Sequence, residues 1–334
     1  MKHKDLLIKT ANDMVKKGKG ILAADESNPT CGKRFDSIGV SSSFESRNEY
    51  RDMLMTAEGI ENYISGVIMF DETFRQSTTC DDKINFPQYL LSKGILPGIK
   101  VDKGVKDLAG FDNEKITEGL DGLRNRLIEY FDLGARFAKW RAVININDTL
   151  PSLGCIEANT HALSRYASLC QENGLVPIVE PEVLMDGEHD IDRCYEVTCK
   201  TLDILFNQLS HQNVMLEGIV LKPNMVISGL ACANQASVDQ VAELTIKCFK
   251  EHVPHTVQGI AFLSGGQSSD IATAHLNAMN NQYKNLPWNL TFSYGRALQQ
   301  DALKTWLGKN RLEAQTQLLN RAKNNSLATQ GKFK

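Results

Sequence analysis

Glu217-Gly-Ile-Val-Leu-Lys-Pro-Asn-Met-Val226 places an apolar run, Ile219 to Leu221, directly before a lysine. The run reads as a buried strand with Lys222 at its end. An ammonium buried without a partner costs several kcal/mol or gives up its proton. A lysine pressed into an apolar site is therefore paired or functional, and the deprotonated form is a nucleophile. Pro223 biases Lys222 toward extended backbone and removes a ladder donor. Taken alone, such a residue is more readily a lysine reaching into solvent from a strand end. Recurrence of the pattern decides otherwise.

Short apolar runs, often β-branched, recur at residues 20–24, 66–70, 94–99, 135–143, 175–179, 218–221, 259–263 and 290–293. Several begin with glycine, which suits a helix-to-strand turn. Amphipathic stretches lie between them, among them residues 152–172, 191–209, 237–251 and 297–322. Near-continuous apolar strands alternating with helices indicate a parallel sheet covered on both faces. Eight such units in 334 residues predict an α/β fold, a single (β/α)8 TIM barrel spanning 1–334 with extra N- and C-terminal helices and a polar C-terminal tail over about 324–334. An open doubly wound sheet is the competing arrangement, but no Gly-x-Gly-x-x-Gly follows the first strand.

The composition, 42 % apolar and 23 % charged, is that of a soluble globular protein. A net charge of −3 points to neither nucleic acid nor an anionic membrane as partner, so an anionic ligand needs a local cationic cluster. No uncharged stretch approaches the ~20 apolar residues of a membrane span, and the N-terminus lacks a secretory core. The eight scattered cysteines, without a Cys-x-x-Cys, read as reduced thiols of a cytoplasmic protein.

In a barrel, functional side chains come from the C-terminal ends of several strands. Side chains alternate along a strand, so placing Lys222 inward also turns Val220 and Gly218 inward. The same phase elsewhere turns Asp25 and Ser27, Lys100 and Asp102, Lys139 and Arg141, and Glu180 and Glu182 into the barrel mouth. Five strands delivering ionisable groups to one layer is not a surface pattern. The mixture suits imine catalysis. Lys222 is the candidate nucleophile, with Lys139 the nearby cation that favours its neutral form. Glu180 is a carboxylate able to give and take protons, and Asp25 reaches from the opposite side to accept a hydroxyl proton. No metal or other cofactor is needed.

Two segments suit an anion. Phe262-Leu-Ser-Gly-Gly-Gln-Ser268 follows the seventh run and Phe292-Ser-Tyr-Gly-Arg-Ala297 the eighth, the usual phosphate position of barrels. Gly265, Gly266 and Gly295 permit close backbone approach, and Ser264, Ser293 and Arg296 add donors. Lys33-Arg34 and Lys100 offer a second phosphate site. The seven histidines show no His-x-x-x-His pair, and no Gly-x-Ser-x-Gly elbow, Walker loop or nucleic-acid motif is present.

Together, Gly20-Ile-Leu-Ala-Ala-Asp-Glu-Ser27, Gly98-Ile-Lys-Val-Asp-Lys-Gly104, Phe137-Ala-Lys-Trp-Arg141, Val176-Pro-Ile-Val-Glu-Pro-Glu182, Leu221-Lys-Pro-Asn-Met-Val226, Phe262 to Ser268 and Phe292-Ser-Tyr-Gly-Arg-Ala-Leu298 resemble class I fructose-1,6-bisphosphate aldolases in family order. The resemblance implies Lys222 as the Schiff-base lysine, Glu180 as acid–base, Lys139 as the charge-positioning lysine and Asp25 at the C4 hydroxyl. It implies Ser264, Gly265, Gly295 and Arg296 at one phosphate and Ser27, Lys100 and Arg34 toward the other. It further implies sugar-phosphate substrates, a homotetramer, and a place in glycolysis and gluconeogenesis. Asn28-Pro29-Thr30 departs from the Thr-Gly-Ser-like loop of well-known members, and the chain stops at Gly331-Lys-Phe-Lys334, where animal enzymes continue to a terminal tyrosine. The alternatives are the same chemistry on sedoheptulose-1,7-bisphosphate and a sugar-phosphate-binding scaffold without catalysis.

Overall fold

The structure, a computed structural model, describes residues 2–80 and 82–334. Eight parallel strands close into a barrel: β1 (Gly20–Ala24), β2 (Ile64–Met69), β3 (Leu96–Lys100), β6 (Phe137–Ile144), β7 (Val176–Val183), β8 (Val220–Leu221), β9 (Gly259–Phe262) and β10 (Asn289–Tyr294). An antiparallel hairpin, β4 (Val105–Asp107) and β5 (Lys115–Thr117), sits between β3 and β6. The helices are α1 (Lys4–Met14), α2 (Asn28–Asp36), α3 (Phe44–Met55), α4 (Asp71–Phe74), α5 (Phe86–Ser92), α6 (Leu123–Asp132), α7 (Leu153–Glu172), α8 (Ile191–His211), α9 (Val238–His252), α10 (Ser269–Gln282), α11 (Arg296–Trp306) and α12 (Arg311–Ala328). Their starts are written locally: the side chains of Ser152, Asp190, Ser237 and Ser268 accept the amide three residues on and cap α7 to α10.

The alternation along the strands divides the apolar core in two. Leu22, Ala24, Val67, Ile99, Ala138, Trp140, Val179, Leu221, Ile260 and Phe262 point outward and pack with the helices. Ile21, Ala23, Ile68, Phe137, Val176, Ile178, Val220 and Ala261 point inward and fill the barrel, where Leu7, Ala11, Met14 and Val15 of the α1 region plug its N-terminal end.

The glycines at strand starts mostly serve this packing rather than a turn. A Cβ on Gly98 would lie 2.1 Å, and one on Gly66 2.9 Å, from the Phe137 ring; one on Gly259 would meet Val15 at 2.5 Å. Gly94, at φ 70°, makes the expected left-handed helix-to-strand turn, as do Gly134 (φ 109°) before β6 and Gly174 (φ 76°) before β7.

One helix expectation is corrected. The stretch 297–322 is not one helix, because Leu307 and Gly308 turn left-handed (φ 48° and 75°) and separate α11 from α12. The polar tail over 324–334 is helical through Ala328. Asn325 is buried and its amide oxygen accepts the Thr273 hydroxyl at 2.7 Å, and the Ser326 hydroxyl donates to the Gly18 carbonyl, which lets these polar residues pack there. The Phe333 amide donates to Asn277 on α10.

Candidate active site

Strand register sets the centre. In the β7–β8 ladder Val220 stands opposite Ile178, so Lys222, whose amide still bonds the Val179 carbonyl, stands level with Glu180. On the other side, Lys139 pairs in register with Ile178 and Lys100 with Lys139. Asp25 follows β1, three strands from β6 around the barrel, and so reaches these groups across the interior.

The resulting chain of charges is continuous. Lys222 Nζ lies 3.1 Å from Glu180 Oε1, Lys139 Nζ lies 3.0 Å from Glu180 Oε2, and Lys139 Nζ donates to Asp25 Oδ2 at 3.1 Å. Lys222 and Lys139 are each 4 % exposed and Glu180 3 %, so these charges face one another rather than water. Around them Arg141 pairs with Glu182, and Lys100 Nζ lies 3.1 Å from Asp102. The lysine noticed first in the sequence is thus paired, with a carboxylate that it shares with a second lysine.

Burial by itself would raise the carboxyls of Asp25 and Glu180. The ammonium groups of Lys139 and Lys222 outweigh it, helped by Lys100 at Asp25 and Arg141 at Glu180, and hold both below the usual carboxylate range. Burial likewise disfavours the Lys139 ammonium, but Asp25 and Glu180 reverse the effect and keep it charged well above the usual lysine range. Lys139 is therefore a fixed cation and Glu180 an ionised group held between two nitrogens.

These residues floor a cleft of about 360 Å³ at the C-terminal end of the barrel. Every candidate from the sequence except Lys33 and Gly266 lines it. Gly266 stands behind the wall at φ 129°, a Cβ there lying 3.3 Å from Met185 Sδ and 3.7 Å from the Arg296 guanidinium. Lys33 is exposed and does not line the cleft, whereas Arg34 does.

At one end of the cleft α11 begins at Gly295, which supplies no capping side chain and leaves first-turn amides open beside Arg296. Gly265, left-handed at φ 59°, turns the chain at Ser264, and the buried Ser293 hydroxyl has no partner although it faces the cleft. At the other end α2 begins after Ser27, whose hydroxyl caps no amide and lies 3.1 Å from that of Thr30. Both ends have the donors and helix N-termini that hold a phosphate.

Sequence reading passed over Glu26. It faces away from the Asp25 row, yet its buried carboxylate sits 2.5 Å from Arg34 and 2.6 Å from Arg51, and it accepts from Gln299 at 3.1 Å. Its partners come from α2, α3 and α11, which no local spacing connects. The hairpin residues Gly104 and Val105 form part of the rim and were equally unforeseen. Among the described residues no three His, Cys, Asp or Glu side chains converge as a metal set.

Residues 6–334 match the family described as fructose-bisphosphate aldolase class-I. A probable fructose-bisphosphate aldolase class 1 of Xanthomonas campestris pv. campestris is 58% identical over 331 residues, 98% of each chain. A cytosolic fructose-bisphosphate aldolase of Arabidopsis thaliana is 52% identical over 334 residues, covering 99% of this chain and 92% of its own. The fructose-bisphosphate aldolase of Plasmodium falciparum, solved with TRAP and a small-molecule inhibitor, superposes with a TM-score of 0.97 at 46% identity, covering 100% of this chain and 96% of its own. With the barrel, the strand-end charges and near-complete coverage in agreement, the chain belongs to the class I fructose-bisphosphate aldolase family.

Proposed function

We propose that this enzyme reversibly cleaves fructose-1,6-bisphosphate to dihydroxyacetone phosphate and glyceraldehyde-3-phosphate through an imine on Lys222. The observation that carries the reading is Glu180 held 3.1 Å from Lys222 Nζ and 3.0 Å from Lys139 Nζ. Lys222 passes a proton to Glu180 and attacks the C2 carbonyl. Glu180 returns the proton to the carbinolamine hydroxyl, which leaves as water. The Asp25 carboxylate then takes the C4 hydroxyl proton as the C3–C4 bond breaks, and the electron pair moves into the iminium to give an enamine. Reprotonation at carbon and hydrolysis release dihydroxyacetone phosphate and free the lysine. Lys139 stays protonated throughout, its charge steadying both carboxylates and the negative charge that develops on oxygen.

The phosphates span the cleft in this reading. Ser264, Gly265, Ser293, Gly295 and Arg296 take one, with Gly266 shaping the loop; Ser27, Arg34 and Lys100 take the other, while the Arg141–Glu182 pair lines the sugar between them. The route needs no metal and no organic cofactor. Family membership supports homotetrameric assembly and a role in glycolysis and gluconeogenesis. The cytosolic plant relative supports a cytoplasmic location, and no described helix is long and apolar enough to cross a membrane.

Borohydride reduction in the presence of dihydroxyacetone phosphate, followed by peptide mass mapping, tests this directly. The expected result is a stable adduct on Lys222. No adduct, or an adduct on another lysine, would sink the mechanism.

A further inference from the structure

All eight cysteines are free, and two of them are in contact across neighbouring helices. Cys199 on α8 and Cys248 on α9 place their sulfurs 3.0 Å apart, and both side chains are buried. The pair lies outside the cleft, and the imine chemistry makes no use of it. Other buried thiols sit differently: Cys194 and Cys155 contact hydroxyl, amide or carbonyl groups rather than sulfur.

The position of the pair gives it a consequence. The backbone after Lys222 is held from behind by the same two helices. Asn224 donates to the Thr198 hydroxyl on α8 at 3.0 Å, and the Val226 amide donates to the Thr245 hydroxyl on α9 at 2.9 Å. Cys199 follows Thr198 directly, and Cys248 comes three residues after Thr245. The two sulfurs thus meet beside the points where α8 and α9 grip the segment that carries the nucleophile.

We propose that Cys199 and Cys248 are a dithiol modification site, oxidised by a peroxide to a reversible disulfide that staples α8 to α9 behind Lys222. The Cys199 thiolate attacks one peroxide oxygen, breaking the O–O bond and giving a sulfenic acid and hydroxide. The Cys248 sulfur, losing its proton, displaces the sulfenic hydroxyl as water and forms the S–S bond. Two thiols and one hydrogen peroxide give one disulfide and two waters, the two electrons from sulfur reducing the peroxide. The surroundings favour Cys199 as the first to react. Hydrogen bonding from Cys248 lowers its thiol below the usual range despite burial, and the charge of His252, which is bonded to Asp203 at 2.7 Å, adds to the effect. The sulfurs need to approach by only about 1 Å to pass from 3.0 Å to a disulfide length of about 2.05 Å.

The folded enzyme is titrated with hydrogen peroxide, quenched, alkylated in denaturant and mapped by mass spectrometry. The expected product is one cross-linked peptide pair joining Cys199 to Cys248, two hydrogens lighter than the reduced pair and restored by dithiothreitol. The oxidised enzyme should melt about 5 °C higher, because the bridge restricts the unfolded chain, and should lose activity more slowly at a fixed elevated temperature. Both gains should vanish in Cys199→Ser and in Cys248→Ser, whose activity under reducing conditions should equal that of the parent. Recovery of both residues as alkylated free thiols after millimolar peroxide would overturn the proposal. So would cross-links only to Cys80 or Cys232, or a rise in melting temperature that persists in both variants. The peptide map of the parent protein decides the chemistry even if a serine variant folds poorly.

Discussion

The two ends of the barrel are built on one lattice and put to opposite uses. At the N-terminal end the inward positions carry Phe137, Val176, Ile178 and Val220, packed against α1. One or two steps higher on the same strands and in the same phase stand Lys139, Glu180 and Lys222. Backbone geometry does not distinguish the ends; side-chain chemistry at each height does. The lower layers bury apolar surface and hold the strands in register. The upper layer uses that rigidity to keep four charges about 3 Å apart, a spacing that flexible supports would not hold.

The sharpest way to break the upper layer is Lys222→Met, which keeps the bulk and removes the nitrogen. Turnover should fall at least about 10⁴-fold, as expected when a covalent nucleophile is lost. Borohydride trapping should vanish, while the melting temperature moves by only a few degrees. Glu180→Gln keeps the shape but cannot exchange a proton. It should lower kcat about 10³-fold, or about 4 kcal/mol of barrier, within the range of general acid–base catalysis. Single-turnover assays should place the loss in imine formation rather than in C–C cleavage.

Phe137→Ala attacks the lower layer instead. Removing this buried ring should cost about 3–4 kcal/mol of stability, read by denaturant unfolding. Cleft chemistry should survive below the new melting point; equal losses of stability and kcat at low temperature would show that the two layers are not separable.

The smallest effect concerns acid. Asp25 and Glu180 have folded-state pKa values below their unfolded ones. Between the two values the unfolded chain binds more protons, so stability rises with pH there and is fully present above about pH 5. It is lost progressively as pH falls below that point. Asp25→Asn should flatten the acid limb of the stability curve, and an unchanged slope would mean that this carboxylate is not held by its lysines.

The same contrast explains what was legible in the sequence. Strands whose apolar run ends in a charge announced both their position and their facing, because alternation carries one known residue along the strand. That is how Asp25, Lys139, Glu180 and Lys222 could be placed in one layer. Val105–Asp107 and Lys115–Thr117 left no such mark, since the first is exposed throughout and the second, only three residues long, fully buries Thr117 alone. The break at Leu307 was hidden because the amphipathic pattern continues across it, and leucine is not a residue that signals a left-handed turn. Glu26 escaped because its meaning lies in Arg34 and Arg51, whose nearness depends on how α2 and α3 pack.

The contact of Phe137 with Gly66 and Gly98 bears on how this barrel can change over generations. The ring fills space on three strands at once, and both glycines are bare because the ring is there. Exchanging any one member alone either opens a void or forces atoms together. A smaller residue at 137 makes room for side chains at 66 and 98, so the three positions can drift only in concert. A scan of single substitutions would report three intolerant sites where there is one shared constraint.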